Sequence, residues 1–378
     1  MVRMNRGPLV RLVATCAFIA ALLCIHRAST QVLSGKLEAQ QLLSTRAPSV
    51  EKELKLANDY LSGHGVRKDE KQAAYWYERA AEAGDPMAQK QIGYFYEVGI
   101  GVPADPMRAV HWYQLAVAGG LASAKTNLGV AYLWGTGVPV DAQLAAQLFR
   151  EAANKGDGRA ATYLGNLYYS GRGLPLDKAA GEHWYVVGAK LHDPVAEFNL
   201  GAMDSVEDHP HDFAKAARWL RKSMADGYVP AMHSLALILE DHPGLAKTDR
   251  ECLNLLETAS GYGQWKSSEA LGLIYAGGQL TPRNLEAAYY YLRLAVLQGG
   301  NAASNEKLAR ALQRLGSQLG SEQVARQESA AQAWYGLHPE KVELLIHDRS
   351  RTTPPGLAIA NPVAGVHGGQ IIDAPPTS

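Results

Sequence analysis

A serine followed three residues later by a lysine, Ser304-Asn305-Glu306-Lys307, is the most reactive-looking pattern in this 378-residue chain. A lysine one helical turn away can take the proton of a nucleophilic serine. That chemistry also needs S-D-N and K-T-G segments to complete the site, and neither occurs. H-E-x-x-H, G-x-S-x-G and a phosphate-binding loop are also missing. Cys16 and Cys24 lie in an N-terminal apolar run, so Cys252 stands alone, without local context as a nucleophile. One remaining cysteine excludes a disulfide framework and a thiolate metal site within the chain.

Metal-capable side chains concentrate at Asp204, Glu207, Asp208, His209, His211 and Asp212, and Glu240, Asp241 and His242 repeat part of the set 33 residues later. Stacked turns would bring both groups together, and mixed imidazole and carboxylate donors would suit a weak divalent site. A solvated acidic turn ended by proline accounts for the same residues, and no metal or cofactor is assigned. His111 and His183, beside tryptophans, read as packing or exposed positions. The 37 Lys and Arg balance 37 Asp and Glu, and four of the Arg fall in residues 1–30, so the remainder is mildly acidic. It has no basic face for a nucleic-acid backbone.

The elements that must position any site come from a 36-residue period. Gly63, Gly99, Gly135 and Gly171 keep this step, as do Gly65, Gly101, Gly137 and Gly173, then Asp69, Asp105, Asp141 and Asp177, then Pro103, Pro139 and Pro175. A further glycine column runs through Gly93, Gly129, Gly165 and Gly201, and Trp76, Trp112 and Trp184 mark another, with Phe149 one place off between them. Each unit reads as a helical hairpin. Ala88, Ile92, Gly93 and Tyr96 fall within about 140° of a helical wheel, the apolar stripe of a first helix. That helix stops at Gly99, where G-x-G-V-P supplies left-handed conformers and a chain that cannot continue helical. Asp105 then N-caps a second helix with Pro106 at its first position, burying Ala109, Trp112, Tyr113 and Ala116 and ending at Gly119 and Gly120. In the first unit Asp69 and Gln72 have capping-box spacing. Tyr75, Tyr77, Tyr113, Tyr132, Tyr168 and Tyr185 fall at core or flanking offsets. The mid-helix glycine costs about 1 kcal/mol relative to alanine. Its recurrence predicts an approach by the neighbouring helix that any Cβ would block.

The pattern A-x-x-x-L-G-x-x-Y-x-x-G-x-G-V-x-x-D-x-x-x-A-x-x-W-Y-x-x-A-A-x-x-G, as in Ala124 to Gly156, resembles the Sel-one-like repeat, a relative of the tetratricopeptide repeat. The match is specific in units starting near Lys52, Ala88, Ala124 and Ala160 and weaker at Ala196, Ala231 and Ser267. The fifth and sixth units carry Glu207-Asp208-His209-Pro210 and Glu240-Asp241-His242-Pro243 in place of G-x-G-V, and Ala236 replaces the glycine that returns at Gly272. The expected fold is all-α: a right-handed α-solenoid of about seven 36-residue helix-turn-helix repeats over 49–300. Helical patterns over Ala302–Leu315 and Ser321–Tyr335, the second capped by Ser321, place C-terminal capping helices in 301–348. A proline- and glycine-rich tail, expected to be disordered, occupies 349–378.

Arg3, Arg6 and Arg11 precede an apolar stretch from Leu12 to Ile25, the order of an export signal in 1–30, with a linker over 31–48. The run is short for a membrane span, and Ala28 lacks a clean cleavage context, so the segment is expected to act as a signal peptide or an uncleaved anchor to the inner membrane. The chain is therefore expected to be periplasmic or secreted, touching membrane only through this segment.

Binding is the function that the repeats suit. In stacked hairpins the first helices line a concave surface, and residues at offsets 2, 3 and 6 from the first alanine lie off the packing stripe. These are Lys90, Gln91 and Tyr94; Thr126, Asn127 and Val130; Thr162, Tyr163 and Asn166; and Phe198, Asn199 and Ala202. Such a mixture of amide, hydroxyl and aromatic groups suits an extended peptide, with a glycan as the other chemistry it could hold. The expected role is a non-catalytic scaffold or adaptor for a protein partner in the cell envelope, serving secretion, polysaccharide or envelope assembly. A periplasmic regulator of a membrane sensor needs the same groove. The resemblance also raises a cell-wall-directed or β-lactamase-like hydrolase, for which these residues supply no site.

Overall fold

The computed structural model describes residues 49–205, 212–248, 250–278, 280–299 and 306–338. The export-type segment, the 31–48 linker, the 349–378 tail, Ser304 and the 206–211 turn lie outside them. Among the described residues the chain is all-helical, with sixteen α-helices and no strand. Successive helix pairs make up an α-solenoid fold: α1 (49–62) with α2 (Glu70–Glu82) and α3 (Pro86–Val98) with α4 (Pro106–Ala118), followed in the chain by α5 (Ala122–Trp134) and α6 (Ala142–Ala153). Next come α7 (Gly158–Ser170) with α8 (Lys178–Lys190), α9 (Pro194–Met203) with α10 (Phe213–Ala225), α11 (Pro230–Asp241) with α12 (Glu251–Gly261), and α13 (Trp265–Gly277) with α14 (Leu285–Leu297). The last two helices are α15 (Glu306–Leu319) and α16 (Ser321–Leu337).

Two compact units divide the chain. The first ends at Ala131 and takes in Gly135–Pro139; the second takes in Tyr132–Trp134 and runs on from Val140. In the first, Ile92, Phe95 and Tyr113 are core side chains, and Tyr77 meets Phe95 edge-on with ring centroids 5.3 Å apart. In the second, Leu220, Leu235, Leu253, Leu256 and Leu271 belong to one continuous cluster. Beyond it Leu308 and Leu315 of α15 close over Tyr289 and Leu292 of α14. Ser321 is the first helical residue of α16 and not its cap: Gly320 holds that position with no side-chain bond.

The mid-helix glycine does what its recurrence predicts. A Cβ built on Gly93 would lie 2.8 Å from the Tyr113 ring and 3.1 Å from the Ala109 carbonyl oxygen. At Gly165 it would lie 2.5 Å from the Tyr185 ring and 3.1 Å from the Gly181 carbonyl, and at Gly272 it would lie 2.5 Å from Leu292. In each case the second helix of the same hairpin fills the place where a methyl group would stand, and interiors packed to crystal density leave it nowhere to go. The turn glycine three residues past the helix end is constrained twice. Gly173 has φ 72°, and a Cβ there would meet the Ala142 backbone at 2.6 Å. Gly101 and Gly137 crowd Glu70 and Pro106 in the same way. The G-x-G turns of Gly101, Gly137 and Gly173 thus stack on the first residues of the preceding second helix, whereas Gly65, in the first hairpin, meets nothing.

Hydrogen bonds fix the hairpins. The aspartate column caps the second helices: Asp105 accepts from Arg108 N at 3.1 Å, and Asp177 accepts from Ala180 N at 3.0 Å. Each such cap is worth about 1 kcal/mol. The capping box expected at Asp69 is only half present, because Asp69 N donates to the Tyr60 carbonyl and not to Gln72. The same bond repeats from Asp105 to Tyr96 and from Asp177 to Tyr168, and it ties the turn across the hairpin.

Candidate functional site

The first-helix residues expected to line a surface separate into two groups. Lys90, Gln91 and Tyr94 of α3 and Asn127 and Val130 of α5 are half-buried. Lys90 Nζ lies 3.4 Å from Ser123 Oγ, which sets α3 beside the start of α5, and all five residues belong to the first unit. Thr126, Thr162, Tyr163, Asn166 and Asn199 are buried instead. Thr162 donates to Asp193 and to the Gly158 carbonyl, and Tyr163 stacks on Phe149 with centroids 4.8 Å apart. Asn166 accepts from the Tyr185 hydroxyl at 2.7 Å, and the Asn199 amide approaches Asn166 Oδ1 at 3.5 Å. Phe198 packs edge-on against Tyr228, and Ala202 is buried. Thr162, Asn199 and Phe198 thus bridge to the next or preceding hairpin, Tyr163 to α6 before it and Asn166 to α8 of its own hairpin, so these offsets are spent on packing between helices. The surface available to a partner is correspondingly narrower than the expected one.

The junction polar groups answer to their surroundings. Burial lifts the Asp193 carboxyl, while the Thr162 hydroxyl and the Ala196 N–H pull it back down. Burial likewise pushes the Tyr185 hydroxyl far above its ordinary value, with nearby Tyr169 adding to the shift. Cys252 is buried beside the Ala236 carbonyl, and burial pushes its thiol up to about 12, which keeps the sulfur protonated at neutral pH. Ser267 and His233 sit 3.2 Å apart, a nucleophile–base pairing in outline. Both are buried, and Ser267 also bonds Gln264, so the pair braces the junction between α11 and α13.

Of the acidic turn, Asp204 pairs with Lys215 at 2.9 Å and Asp212 caps α10 at Lys215 N. His242 packs on Phe213 with centroids 4.0 Å apart, which brings the start of α10 to the end of α11. Glu207, Asp208, His209 and His211 fall outside the described residues. Among those described, a metal-capable trio occurs elsewhere, at His192, Glu197 and Asp226. Sequence reasoning missed it because 34 positions separate its ends and no motif links them. Of the tyrosines, Tyr77, Tyr113 and Tyr185 are core, Tyr132 and Tyr168 are half-buried, and Tyr75 is exposed. His111 and His183 are exposed.

Three comparisons bear on this architecture. The Sel1 repeat family model matches residues 53–85, 86–121, 122–157, 158–193, 194–228 and 266–300, more than half of the chain. The unmatched hairpin between the last two is α11–α12, the one with the altered turn and Ala236. No curated protein matches. Among solved structures, the chain is similar to a Sel1 repeat protein from Oxalobacter formigenes, with 26% identity, a TM-score of 0.57 and coverage of 65% of this chain and 98% of that one. It also matches c5321, described as a protective antigen present in uropathogenic Escherichia coli strains displaying an SLR fold, at 19% identity and TM-score 0.30, over 88% of this chain and 90% of that one. The immunity protein Pa5087 from Pseudomonas aeruginosa matches at 17% identity and TM-score 0.38, covering 67% and 83%. With six matched repeats whose glycines, caps and turns recur in the fold, the chain belongs to the Sel1 repeat family.

Proposed function

We propose that the chain is a non-catalytic scaffold or adaptor of the bacterial cell envelope that holds an extended protein segment along α3 and α5. Sel1 repeat proteins are generally protein-interaction scaffolds. The observation that carries the reading is the grouping of Lys90, Gln91, Tyr94, Asn127 and Val130 on adjacent first helices, where ammonium, amide, aromatic and apolar groups lie within reach of one peptide. An aromatic flanked by amides gives an extended chain both contact area and backbone hydrogen bonds. The Arg-then-apolar order of residues 3–25 supports a periplasmic or secreted location.

Site-specific photo-crosslinking in cells tests this. A crosslinker at Gln91 and at Asn127 is expected to trap the same protein, and one at Met107, which is 73% exposed on α4, is expected to trap none of it. Equal capture at all three positions would refute the surface.

A further inference from the structure

We propose that His192, Glu197 and Asp226 bind a divalent transition-metal ion of the zinc class where the fifth hairpin joins the fourth. One ligand atom from each lies within 4.8 Å of the other two, and all three residues belong to the second unit. His192 Nδ1 and Asp226 Oδ2 are 3.4 Å apart. Two ligand atoms bound to one tetrahedral ion at about 2.0–2.2 Å stand roughly 3.4 Å from each other, so this edge is already set.

Glu197 points to an absent ligand independently. It is wholly buried, at 0% exposure, yet its Oε2 has no hydrogen-bond partner. Lys222 Nζ forms an ion pair with Oε1 at 2.7 Å and gives another of its three hydrogens to the Ala189 carbonyl at 2.9 Å, so the orphaned atom is Oε2. A buried carboxylate oxygen left without a donor is costly. Packing does not demand a carboxylate there, since the corresponding residue of α13 is Ser268, bonded at 2.6 Å to Gln298. One ammonium faces two carboxylates, so the cluster retains a negative charge that a dication would neutralise. Burial foremost lifts the Glu197 carboxyl above its ordinary range, Asp226 adds to the lift and Lys222 opposes it.

His192 is anomalous too. It takes φ 58°, the one non-glycine with positive φ among the described residues. Gly84, Gly120, Gly156, Gly227, Gly263 and Gly299 hold this place after the other second helices. An imidazole has thus replaced glycine where backbone geometry favours glycine. Imidazole with two carboxylates favours zinc and its neighbours over magnesium or calcium, which take oxygen alone. His192 is exposed, which leaves a coordination position to water, and the Lys222 side chain, 39% exposed, has solvent to swing into. The ion would tie the start of α9 to the end of α10, bracing a hairpin whose turn lacks G-x-G.

The test titrates the full metal-free chain with zinc chloride and with magnesium chloride, followed by calorimetry and thermal melting. Zinc is expected to bind and raise Tm, with magnesium at the same concentration doing neither. His192→Gly restores the residue used elsewhere, so its metal-free melt should match or exceed wild type while zinc affinity falls. Loss of an outer-shell partner costs 10–100-fold, so removing a ligand should cost about tenfold or more, in His192→Gly and in Asp226→Asn alike. The proposal fails if zinc leaves Tm unchanged at millimolar concentration, if magnesium acts equally, or if both variants bind as wild type. It also fails if only His209→Ala with His211→Ala abolishes binding.

Discussion

The hairpins α7–α8 and α11–α12 solve one packing problem in two ways. In α7–α8 glycine faces glycine: Gly165 lies against the Gly181 carbonyl, and the buried Tyr185 ring covers the gap. The turn after α7 then stacks through Gly173 on the start of α6. In α11–α12 the corresponding places hold Ala236 and Cys252, with Cys252 Sγ 3.3 Å from the Ala236 carbonyl, and leucines fill the core around them. No G-x-G turn is present. Arg221 of α10 grips Glu251 with Nη2 at 3.0 and 3.1 Å from its two oxygens and donates to the Leu245 carbonyl at 3.0 Å, a clamp that replaces the stacked turn. Close backbone contact and side-chain filling are alternative ways to seat one helix on another, and only the first leaves a periodic signature.

Substitutions can break that comparison. Gly173→Ala has the largest expected effect, because it puts a Cβ at positive φ and into backbone. The strain and overlap together should cost about 3 kcal/mol in a denaturant titration. Nothing in α11–α12 is sensitive in this way, so a neutral outcome would remove the stacked turn as a distinguishing feature. Asp177→Ala should cost about 1 kcal/mol through loss of the α8 cap. Arg250, which precedes α12 without a side-chain cap, should tolerate alanine within about 0.5 kcal/mol.

Those two ways of packing also decide how much could be read from residues alone. The glycine and aspartate columns were legible because each unit imposes the same steric demand every 36 positions. A second cap column, Asp85, Asp157 and Asp193 on the first helices, has the same period and was overlooked, although its bonds to Ala88, Ala160 and Ala196 N are as regular. Tyr185 and Glu257 stand 36 positions either side of Arg221, so no column could reveal its clamp. For the binding surface, an offset rule taken from helical wheels cannot tell solvent from a neighbouring helix. Asn166 and Thr162 satisfied the rule and proved to be junction residues, whereas Gln91 and Asn127 satisfied it and retain partial exposure. Serine-lysine spacing gave no structural handle, since Ser304 lies outside the described residues.

Gly165→Ala tests the central claim most directly, because propensity and packing predict opposite signs. Alanine is the better helix former by about 1 kcal/mol, so a free helix position would gain stability. Close approach predicts that the added methyl meets the Tyr185 ring and the Gly181 carbonyl and lowers Tm, with Ala236→Gly destabilising its own hairpin by about 1 kcal/mol as the mirror control. A Gly165→Ala protein that melts higher than wild type would contradict the account.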